Sequence, residues 1–417
     1  MILPINEKYR DCSWDFKGAN TKIHTHGFHP YPAMMIPQVA EKLLDIYAVN
    51  AKLLFDPYCG TGTSLVEANL RGINAIGTDI NPLARVMAKV KTTFIPIDLL
   101  DHYIFDFKEY LQNYNLDDVA IPNFKNIEYW FKENTIFELS VIKSYIDNKI
   151  NNENVKNFFK VAWSSTIRDV SLTRNSEFKL YRMPPNQIEK FNPYTYKIMI
   201  DKLLNNKNNL QEYMRIKQGD AKSKIYGFNT VESIPKNIIP DECVDIVITS
   251  PPYGDSRTTV AYGQFSRLSC QWLNIENATK IDKLCMGGGR IKTKIEFDYE
   301  PLDNAIEVIY NQDKKRAEEV ISFYKDYKLS INNVSKSVKI GGIVAYTVGN
   351  RTVKGTTLPT DEITKEFFER NGFTHIKTMI RAIPNKRMPK KNSPSNVSGK
   401  VGKTMNYEYI VILKKEE

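Results

Sequence analysis

The chain reads AKLLFDPYCGTGT from residue 51 to residue 63. Its apolar start, 51–55, predicts a short buried strand, and the glycines that follow predict a tight turn into a helix that ends at Gly72. A second apolar run at 75–78 and a helix opened by Pro82 repeat this pattern. Two consecutive strand-turn-helix units indicate an α/β fold built on a parallel sheet.

Four later segments have the apolar, β-branched character of buried strands, at 244–249, 343–348, 374–380 and 409–413. A helix is predicted at 361–370, before the third of them. Strands that alternate with helices predict a doubly wound, mostly parallel sheet. The last two strands are predicted to pair as an antiparallel hairpin.

Two long segments interrupt this alternation. In the first, apolar residues follow helical spacing, which predicts a largely helical insertion. The second carries aromatic and basic residues such as Tyr262, Phe265 and Arg267. Both are candidates for contacting a substrate. The predicted division of the chain is 1–93 for the first half of the sheet domain, 94–215 for the helical insertion, 216–253 for the second half, 254–331 for the second insertion, and 332–417 for the final strands with a basic loop.

The composition is that of a folded protein with a basic surface. Of the 417 residues, 42% are hydrophobic and 25% are charged, which excludes a disordered chain. The net charge of +10 favours a polyanionic partner, although a generic basic enzyme has the same property. No apolar stretch is long enough to cross a membrane and no signal peptide is evident, so we expect a cytoplasmic protein. The five cysteines include no CxxC pair and are expected to be free thiols.

The glycine turn at 60–63 predicts a ligand site. Ligands of open α/β sheets bind beyond the carboxyl ends of the strands, and glycines allow a ligand to approach the backbone closely. The turn lacks the third glycine of a dinucleotide fingerprint and the Gly-Lys-Ser/Thr of a phosphate loop, which argues against both of those nucleotide sites. Asp79, at the end of the next strand, is placed to accept hydrogen bonds from two ribose hydroxyls.

The strand at 244–249 runs directly into Ser250-Pro251-Pro252-Tyr253. Two prolines stiffen this exit loop, and the proline nitrogens donate no hydrogen bonds. The Ser250 hydroxyl and the Pro251 carbonyl are fixed acceptors, and Tyr253 offers an aromatic face on which a planar group can stack. A proline turn that only caps the strand is the simpler alternative.

Taken together, the loop at 56–63 and the Ser250-Pro251-Pro252-Tyr253 quartet resemble the two signature motifs of amino-group DNA methyltransferases. The resemblance implies a seven-stranded Rossmann-like methyltransferase sheet and S-adenosylmethionine as cofactor. It implies that Asp56 addresses the methionine amino group and that Asp79 binds ribose, while Tyr58 stands where phenylalanine is commoner. The residues that the resemblance assigns to the cofactor are His29, Tyr31, Asp56, Tyr58, Cys59, Gly60, Thr61, Gly62, Thr63, Asp79, Ile80, Asp220 and Ala221.

The same resemblance implies methyl transfer to the exocyclic amino group of a base that has been turned out of duplex DNA. Ser250, Pro251, Pro252 and Tyr253 are then the catalytic residues. The serine is characteristic of enzymes that methylate cytosine N4, whereas enzymes for adenine N6 usually carry aspartate or asparagine there. The cofactor motif precedes the catalytic one, the reverse of many cytosine N4 enzymes, which leaves the identity of the base open. Two other functions also remain open: methylation of guanine N2 in RNA, and a non-catalytic DNA-binding subunit.

Basic residues outside these motifs are predicted to contact duplex DNA. One group lies in the acid-free tail segment 377–403, a second lies within the helical insertion, and Arg267 lies in the second insertion. The named candidates are Arg168, Arg174, Lys179, Arg182, Arg267, Lys386, Arg387, Lys390 and Lys391. A cognate restriction endonuclease is a candidate partner. His24, His26 and His29 lack the further ligands of a tetrahedral site, so no metal is expected.

Overall fold

The computed structural model describes residues 7–174, 179–255, 259–293, 295–383, 391–392, 402–403 and 405–416. Within these ranges the strands are β1 (Glu7–Arg10), β2 (Leu53–Asp56), β3 (Asn74–Thr78), β4 (Ser223–Tyr226), β5 (Val244–Thr249), β6 (Val338–Val348), β7 (Thr352–Val353), β8 (Thr356–Thr357), β9 (Phe373–Ala382), β10 (Lys391–Asn392), β11 (Gly402–Lys403) and β12 (Tyr407–Lys415). The helices are α1 (Pro37–Tyr47), α2 (Thr63–Leu70), α3 (Pro82–Thr92), α4 (Ile97–Asn113), α5 (Ile127–Trp130), α6 (Glu133–Asn148), α7 (Glu153–Val170), α8 (Pro185–Lys190), α9 (Thr195–Ile216), α10 (Tyr262–Trp272), α11 (Ile281–Leu284), α12 (Glu300–Gln312), α13 (Lys314–Ser337) and α14 (Thr360–Glu369).

Eight strands form one sheet in the order β1-β9-β12-β6-β5-β2-β3-β4. Neighbours are parallel throughout, except that β12 runs antiparallel to both β9 and β6. The chain builds outward from β2 through β3 to β4, then returns to place β5 on the other side of β2. Because the winding direction reverses between β2 and β5, the loops that follow these strands diverge and leave a crevice. The prediction of a doubly wound, mostly parallel sheet is confirmed.

Alternating side chains of the central strands reach two different layers of helices. Leu54 and Ile246 point into a core shared with α1 and α2, whereas Phe55 and Val247 point into a core shared with α12, α13 and α14. Successive residues of a strand face opposite sides of a sheet, so both faces of the centre are buried. This double burial explains why the strands read as continuous apolar runs.

The predicted number of seven strands is one too low. The additional edge strand, β1, pairs in parallel with β9, and all four of its residues are exposed. An exposed edge strand has no buried face, so its sequence carries no apolar periodicity. The opposite edge strand, β4, is also short and only partly buried.

The helical insertion is confirmed, because α4 to α9 occupy 97–216. These helices share a hydrophobic core with α3 and α10, through buried residues such as Phe107, Tyr145 and Trp272. The region 254–331, in contrast, is divided between two places. Its α10 joins the helical core, while α12 and α13 cover the sheet, and the predicted boundary at 331 falls inside α13. No helix in the described ranges combines the length and the apolar character needed to span a membrane.

The side chain of Asp245 links three strands at the amino edge of the sheet. One carboxylate oxygen accepts from the backbone N–H groups of Lys52 and Leu53, both at 2.8 Å, and the other accepts from Lys339 Nζ at 2.6 Å. Burial opposes the charge, but the hydrogen bonds from Lys339 and the two amides outweigh it and lower the pKa of Asp245. The carboxylate therefore fixes the start of β5 against the starts of β2 and β6.

We expect Asp245→Ala to lower the free energy of unfolding by about 1–3 kcal/mol, since it leaves two strand amides without their acceptor. Urea denaturation measures this change. Asp241→Ala, which removes only an exposed ion pair with Lys236, is the matched control and should cost less than about 1 kcal/mol. Because the pKa of Asp245 is lowered by folding, its contribution is present above the unfolded pKa and is lost as the pH falls through the folded pKa. Equal losses in both variants would contradict this role.

Candidate active site

A cleft opens at the carboxyl edge of the sheet, between the loops that follow β2 and β5. Its empty volume, including the open mouth, is about 960 Å³. The two predicted motifs border this one hollow. The lining residues are Asp56, Pro57, Tyr58, Cys59, Gly60, Thr61, Thr63 and Ser64 after β2; Asp79, Ile80 and Asn81 after β3; Phe228, Asn229, Thr230 and Val231 after β4; Ser250 and Pro252 after β5; Tyr31, Pro32, Ala33, Met34 and Met35 before α1; and Tyr262, Cys285 and Met286 from the second insertion.

Two glycines shape the loop after β2. Gly60 has φ +49° and Gly62 has φ +83°, in the left-handed region where side chains with a Cβ are strained. A Cβ on Gly62 would also lie 3.0 Å from that of Ala88 on α3. The backbone N–H of Cys59 donates to the carbonyl of Thr78 at 3.0 Å, which holds the loop over the end of β3. The turn therefore directs the amino end of α2 toward the cleft, although Gly62 itself does not line it.

Asp56 is a buried carboxylate at the junction of the two motifs. It accepts from the backbone N–H of Tyr58 at 3.0 Å, from Thr249 Oγ1 at 2.5 Å, and from the hydroxyl of Ser64. Burial raises the pKa of Asp56 to about 6, although these three donors oppose the rise. Thr249 directly precedes Ser250, so Asp56 joins the loop after β2 to the start of the loop after β5.

Asp79 is the second buried carboxylate of the cleft. Its oxygens accept from the backbone N–H groups of Gly60 at 3.0 Å and Asn81 at 2.7 Å. Burial raises the pKa of Asp79, while these two amides act in the opposite direction. Each carboxylate oxygen can accept more than one hydrogen bond, so Asp79 retains acceptor capacity for a ligand in the cleft.

An aromatic wall closes one side of the cleft. The rings of Tyr31 and Tyr262 stack with centroids 5.9 Å apart, and Phe265 packs edge-on against Tyr31 at 5.6 Å. Asn81 donates to the hydroxyl of Tyr31 at 2.8 Å, which fixes the wall to the loop after β3. His29 does not reach the cleft, because its ring is buried and Nε2 pairs with Ser164 Oγ at 2.9 Å. The predicted cofactor contact of His29 is therefore corrected: it anchors the segment to α7.

The loop after β5 presents Ser250 and Pro252 to the cleft, while Pro251 and Tyr253 lie beside it. The hydroxyl of Tyr253 lies 3.3 Å from Ser250 Oγ and donates to Glu408 Oε1 at 3.0 Å. Burial and the negative charge of Glu408 raise the pKa of Tyr253 well above its ordinary value, so the phenol stays protonated. The expectation that its ring stacks on a base stays a prediction.

The predicted contacts of Asp220 and Ala221 do not fit the structure. Both residues precede β4, and the register pairs Ser223 with Ala75 at the amino end of β3. They therefore lie at the edge of the sheet opposite to Asp79. The residues that follow β4, Phe228 to Val231, line the cleft in their place.

A buried lysine donates a hydrogen bond to the glycine loop that follows β2. Lys91 on α3 is fully buried, and its Nζ donates to Thr61 Oγ1 at 2.9 Å. Burial lowers the pKa of Lys91 to about 7. No sequence pattern indicates this contact, because Lys91 is one of several basic residues in an amphipathic helix.

The basic candidates divide into exposed and buried residues. Arg174, Lys179 and Arg182 lie in the connection between α7 and α8, and the Arg182 guanidinium stacks over the ring of Tyr129 at 4.3 Å. Arg267 is half-buried on α10. Arg168 is instead buried over the ring of Phe265 at 3.9 Å, so its predicted DNA contact is corrected to a role in packing. Outside the described residues lie Lys386, Arg387, Lys390 and the side chain of Lys391.

The histidines of the amino-terminal segment pair with protein groups. His26 Nε2 lies 2.8 Å from Glu67 Oε1, and both side chains are buried. Across the parts of the chain that the structure describes, no three His, Cys, Asp or Glu side chains form a group that could hold a metal ion.

Comparisons with known proteins agree with this geometry. A family model described as DNA methylase, for the N6 and N4 amino-methyltransferases, matches residues 4–89. The Type II methyltransferase M.MvaI of Kocuria varians is 40% identical over 427 aligned residues, which cover 96% of this chain and 93% of that protein. The Type II methyltransferase M.BsoBI of Geobacillus stearothermophilus is 21% identical and covers 95% of this chain and 87% of its own. A tRNA (guanine(10)-N2)-dimethyltransferase of Methanothermobacter thermautotrophicus is 40% identical, but over only 12% of this chain and 16% of its own.

The relative from Kocuria varians is similar over nearly the whole of both chains, and the family model matches the segment that includes the glycine loop and Asp79. The cleft is lined by Asp56, Asp79 and the glycine turn that the sequence motif predicted. The chain therefore belongs to the amino-group DNA methyltransferases, whose cofactor is S-adenosylmethionine.

Proposed function

We propose that this protein is a site-specific Type II DNA methyltransferase that methylates the exocyclic amino group of cytosine, N4. The observation that carries the proposal is the shared cleft, in which Asp79 and the glycine loop face Ser250 and Pro252. A base within a duplex cannot reach this hollow, so the target base must leave the helix. Double-stranded DNA is the proposed substrate, and a cognate restriction endonuclease is the proposed biological partner.

The cleft suits S-adenosylmethionine in its polar groups. Asp56 would hold the ammonium of the methionine part, and the remaining acceptor capacity of Asp79 suits the ribose hydroxyls. The adenine would lie among Ile80, Phe228 and Val231. The amino end of α2 faces the cleft and favours a negative group such as the methionine carboxylate.

The residues after β5 supply what a weak nucleophile needs. The lone pair of an exocyclic amino group is delocalised into the ring, and the nitrogen becomes positive as it forms a new bond. Bound S-adenosylmethionine would supply an electrophilic methyl group: the bond from carbon to sulfur breaks as the bond to nitrogen forms, a neutral thioether leaves, and the methylated nitrogen releases one proton to solvent. The Ser250 hydroxyl and the Pro251 carbonyl are acceptors suited to stabilising the developing charge. The serine in this position supports cytosine N4 over adenine N6.

The proposed DNA surface lies near the aromatic wall. The loop with Arg174, Lys179 and Arg182 approaches α10, where the backbone N–H of Leu180 lies 3.5 Å from Gln264 Oε1. Helix α10 also carries Tyr262, which lines the cleft. The basic side chains of this loop suit contacts with the phosphates that flank an extruded base.

The test is to identify the product nucleoside. The protein is incubated with radiolabelled S-adenosylmethionine and duplex DNA of varied sequence, or with tRNA, and the nucleosides are separated after digestion. We expect label in N4-methylcytosine from duplex DNA at one short sequence. Label in N6-methyladenine would overturn the choice of base, label only in tRNA would overturn the choice of substrate, and no label in either nucleic acid would overturn the enzyme itself.

Asp79→Ala should weaken S-adenosylmethionine binding by about 10- to 100-fold, because charge-assisted hydrogen bonds to the ribose are lost. Isothermal titration calorimetry measures the cofactor affinity, and gel retardation measures DNA binding, which should change by less than about twofold. The matched control is Asp98→Asn, at an exposed aspartate of α4. Parallel loss of cofactor and DNA binding would contradict the assignment of Asp79.

The raised pKa of Asp56 predicts pH-dependent cofactor binding. Below about pH 6 the carboxylate gains a proton and no longer attracts the ammonium, so the affinity for S-adenosylmethionine should fall as the pH decreases. The same titrations with 5′-methylthioadenosine, which has the ribose but no ammonium, separate this effect from protonation of Asp79. The affinity for S-adenosylmethionine divided by the affinity for 5′-methylthioadenosine should decrease as the pH falls below about 6 in the wild type, with a slope that approaches about tenfold per pH unit. In Asp56→Asn this ratio should not change with pH. A constant ratio in the wild type would remove Asp56 from this role.

A further inference from the structure

Glu408 reaches the active site because β12 runs against the direction of its neighbours. Tyr409 pairs with Val348, the last residue of β6, so the start of β12 lies at the carboxyl edge of the parallel strands. Glu408 therefore stands beside the loop after β5, although it lies near the end of the chain. A carboxylate oxygen of Glu408 accepts from the hydroxyl of Tyr253 at 3.0 Å, and that hydroxyl lies 3.3 Å from Ser250 Oγ.

The direction of these hydrogen bonds follows from counting protons. A phenol has one hydrogen, and Tyr253 gives it to the carboxylate, which has none to give while it is paired with a guanidinium. Tyr253 can then only accept from Ser250. The hydroxyl hydrogen of Ser250 is then directed toward Tyr253. The lone pairs of Ser250 Oγ remain available to accept a hydrogen bond from a group in the cleft.

We propose that Glu408 is a positioning residue that fixes Ser250 as a hydrogen-bond acceptor. An amino group on the target base can donate to Ser250 in this arrangement. A keto oxygen at the same place would face the lone pairs of Ser250 Oγ and could form no hydrogen bond with them. The hydrogen bonds from Ser250 through Tyr253 to Glu408 therefore favour bases with an amino group at the reacting position and disfavour thymine and uracil. This inference rests on the proposed function, because it concerns the amino substrate.

Glu408 is itself held in place by Arg381. The guanidinium of Arg381 pairs with the second carboxylate oxygen of Glu408, and its Nε donates to the carbonyl of Trp14 at 2.8 Å. Arg381 is buried, so its charge requires an acceptor at this point. On the other side, Gly349 leaves room for the ring of Tyr253, since a Cβ there would lie 2.8 Å from Tyr253 Cδ2.

The substitution Glu408→Gln makes the sharpest test. The guanidinium of Arg381 has only donors, so it should pair with the amide oxygen of the glutamine. The NH₂ group of the glutamine would then face Tyr253. The hydrogen-bond direction would then reverse along the chain, with Tyr253 donating to Ser250 and the hydroxyl hydrogen of Ser250 turned to the substrate. Tyr253→Phe breaks the chain but keeps the ring. Glu408→Asp restores a carboxylate, and Glu416→Gln, at an exposed ion pair with Lys414, is the matched control.

Single-turnover methylation is measured with the DNA that the wild-type protein modifies. We expect Glu408→Gln and Tyr253→Phe each to slow it about tenfold or more, with S-adenosylmethionine affinity unchanged. The double variant should be no slower than the slower single variant, because Glu408 acts only through Tyr253. Glu408→Asp should recover part of the rate, and Glu416→Gln should match the wild type.

Two results would overturn the inference: a wild-type rate in Glu408→Gln, or effects that multiply in the double variant. Thermal unfolding identifies a variant that fails to fold. If Glu408→Gln does not fold, Glu408→Asp replaces it in the comparison of single and double variants with Tyr253→Phe. Rate effects that multiply in that double variant would also overturn the inference. Failure of the proposed function is recognised separately, because the wild-type protein would then yield no methylated amino group in DNA.

Discussion

The hydrogen bond from Thr249 Oγ1 to Asp56 is the contact on which the site depends. It joins the ends of two parallel strands, β2 and β5, at the point where the winding of the sheet reverses. Parallel neighbours place their carboxyl ends at one edge, but the loops that follow diverge there. The buried carboxylate holds the first residues of both loops together before they separate. The loops that follow β2 and β5 can therefore share one cleft, although Asp56 and Thr249 are 193 positions apart in the sequence.

The antiparallel strand β12 adds a second constraint at the same edge. A sheet of parallel strands alone would bring only strand ends to the cleft, whereas β12 brings its beginning. Glu408 lies at that beginning and pairs with Arg381 of β9, which in turn donates to the carbonyl of Trp14. The loop after β5 thus contacts β12 directly, and Glu408 and Arg381 connect it to β9 and the amino-terminal segment. The acceptor role of Ser250 depends on the order of strands as much as on the local motif.

The sequence predicted the parts of the site in which a motif directly follows its strand. Asp56, Gly60 and Asp79 are of this kind, since an apolar run followed by a polar turn marks the carboxyl end of a buried strand. Asp220 was misplaced because β4 is a half-exposed edge strand of four residues with no apolar pattern. No strand is therefore predicted there, and the cofactor contact of Asp220 rested on the resemblance alone. Tyr262 reaches the cleft through tertiary packing, and Glu408 reaches Tyr253 through strand direction, neither of which local patterns encode.

Helix α10 connects the proposed cofactor site to the proposed nucleic-acid surface. Its Ser266 Oγ accepts from Asn81 at 2.7 Å, and the backbone of Asn81 donates to Asp79. Two residues earlier on the helix, Gln264 meets the loop that carries Lys179 and Arg182. A helix that contacts both places keeps the Asp79 carboxylate, which we propose to bind ribose, at a fixed separation from the proposed phosphate contacts. Because methyl transfer requires the reacting atoms to be aligned closely, such a fixed separation favours the reaction over a flexible connection.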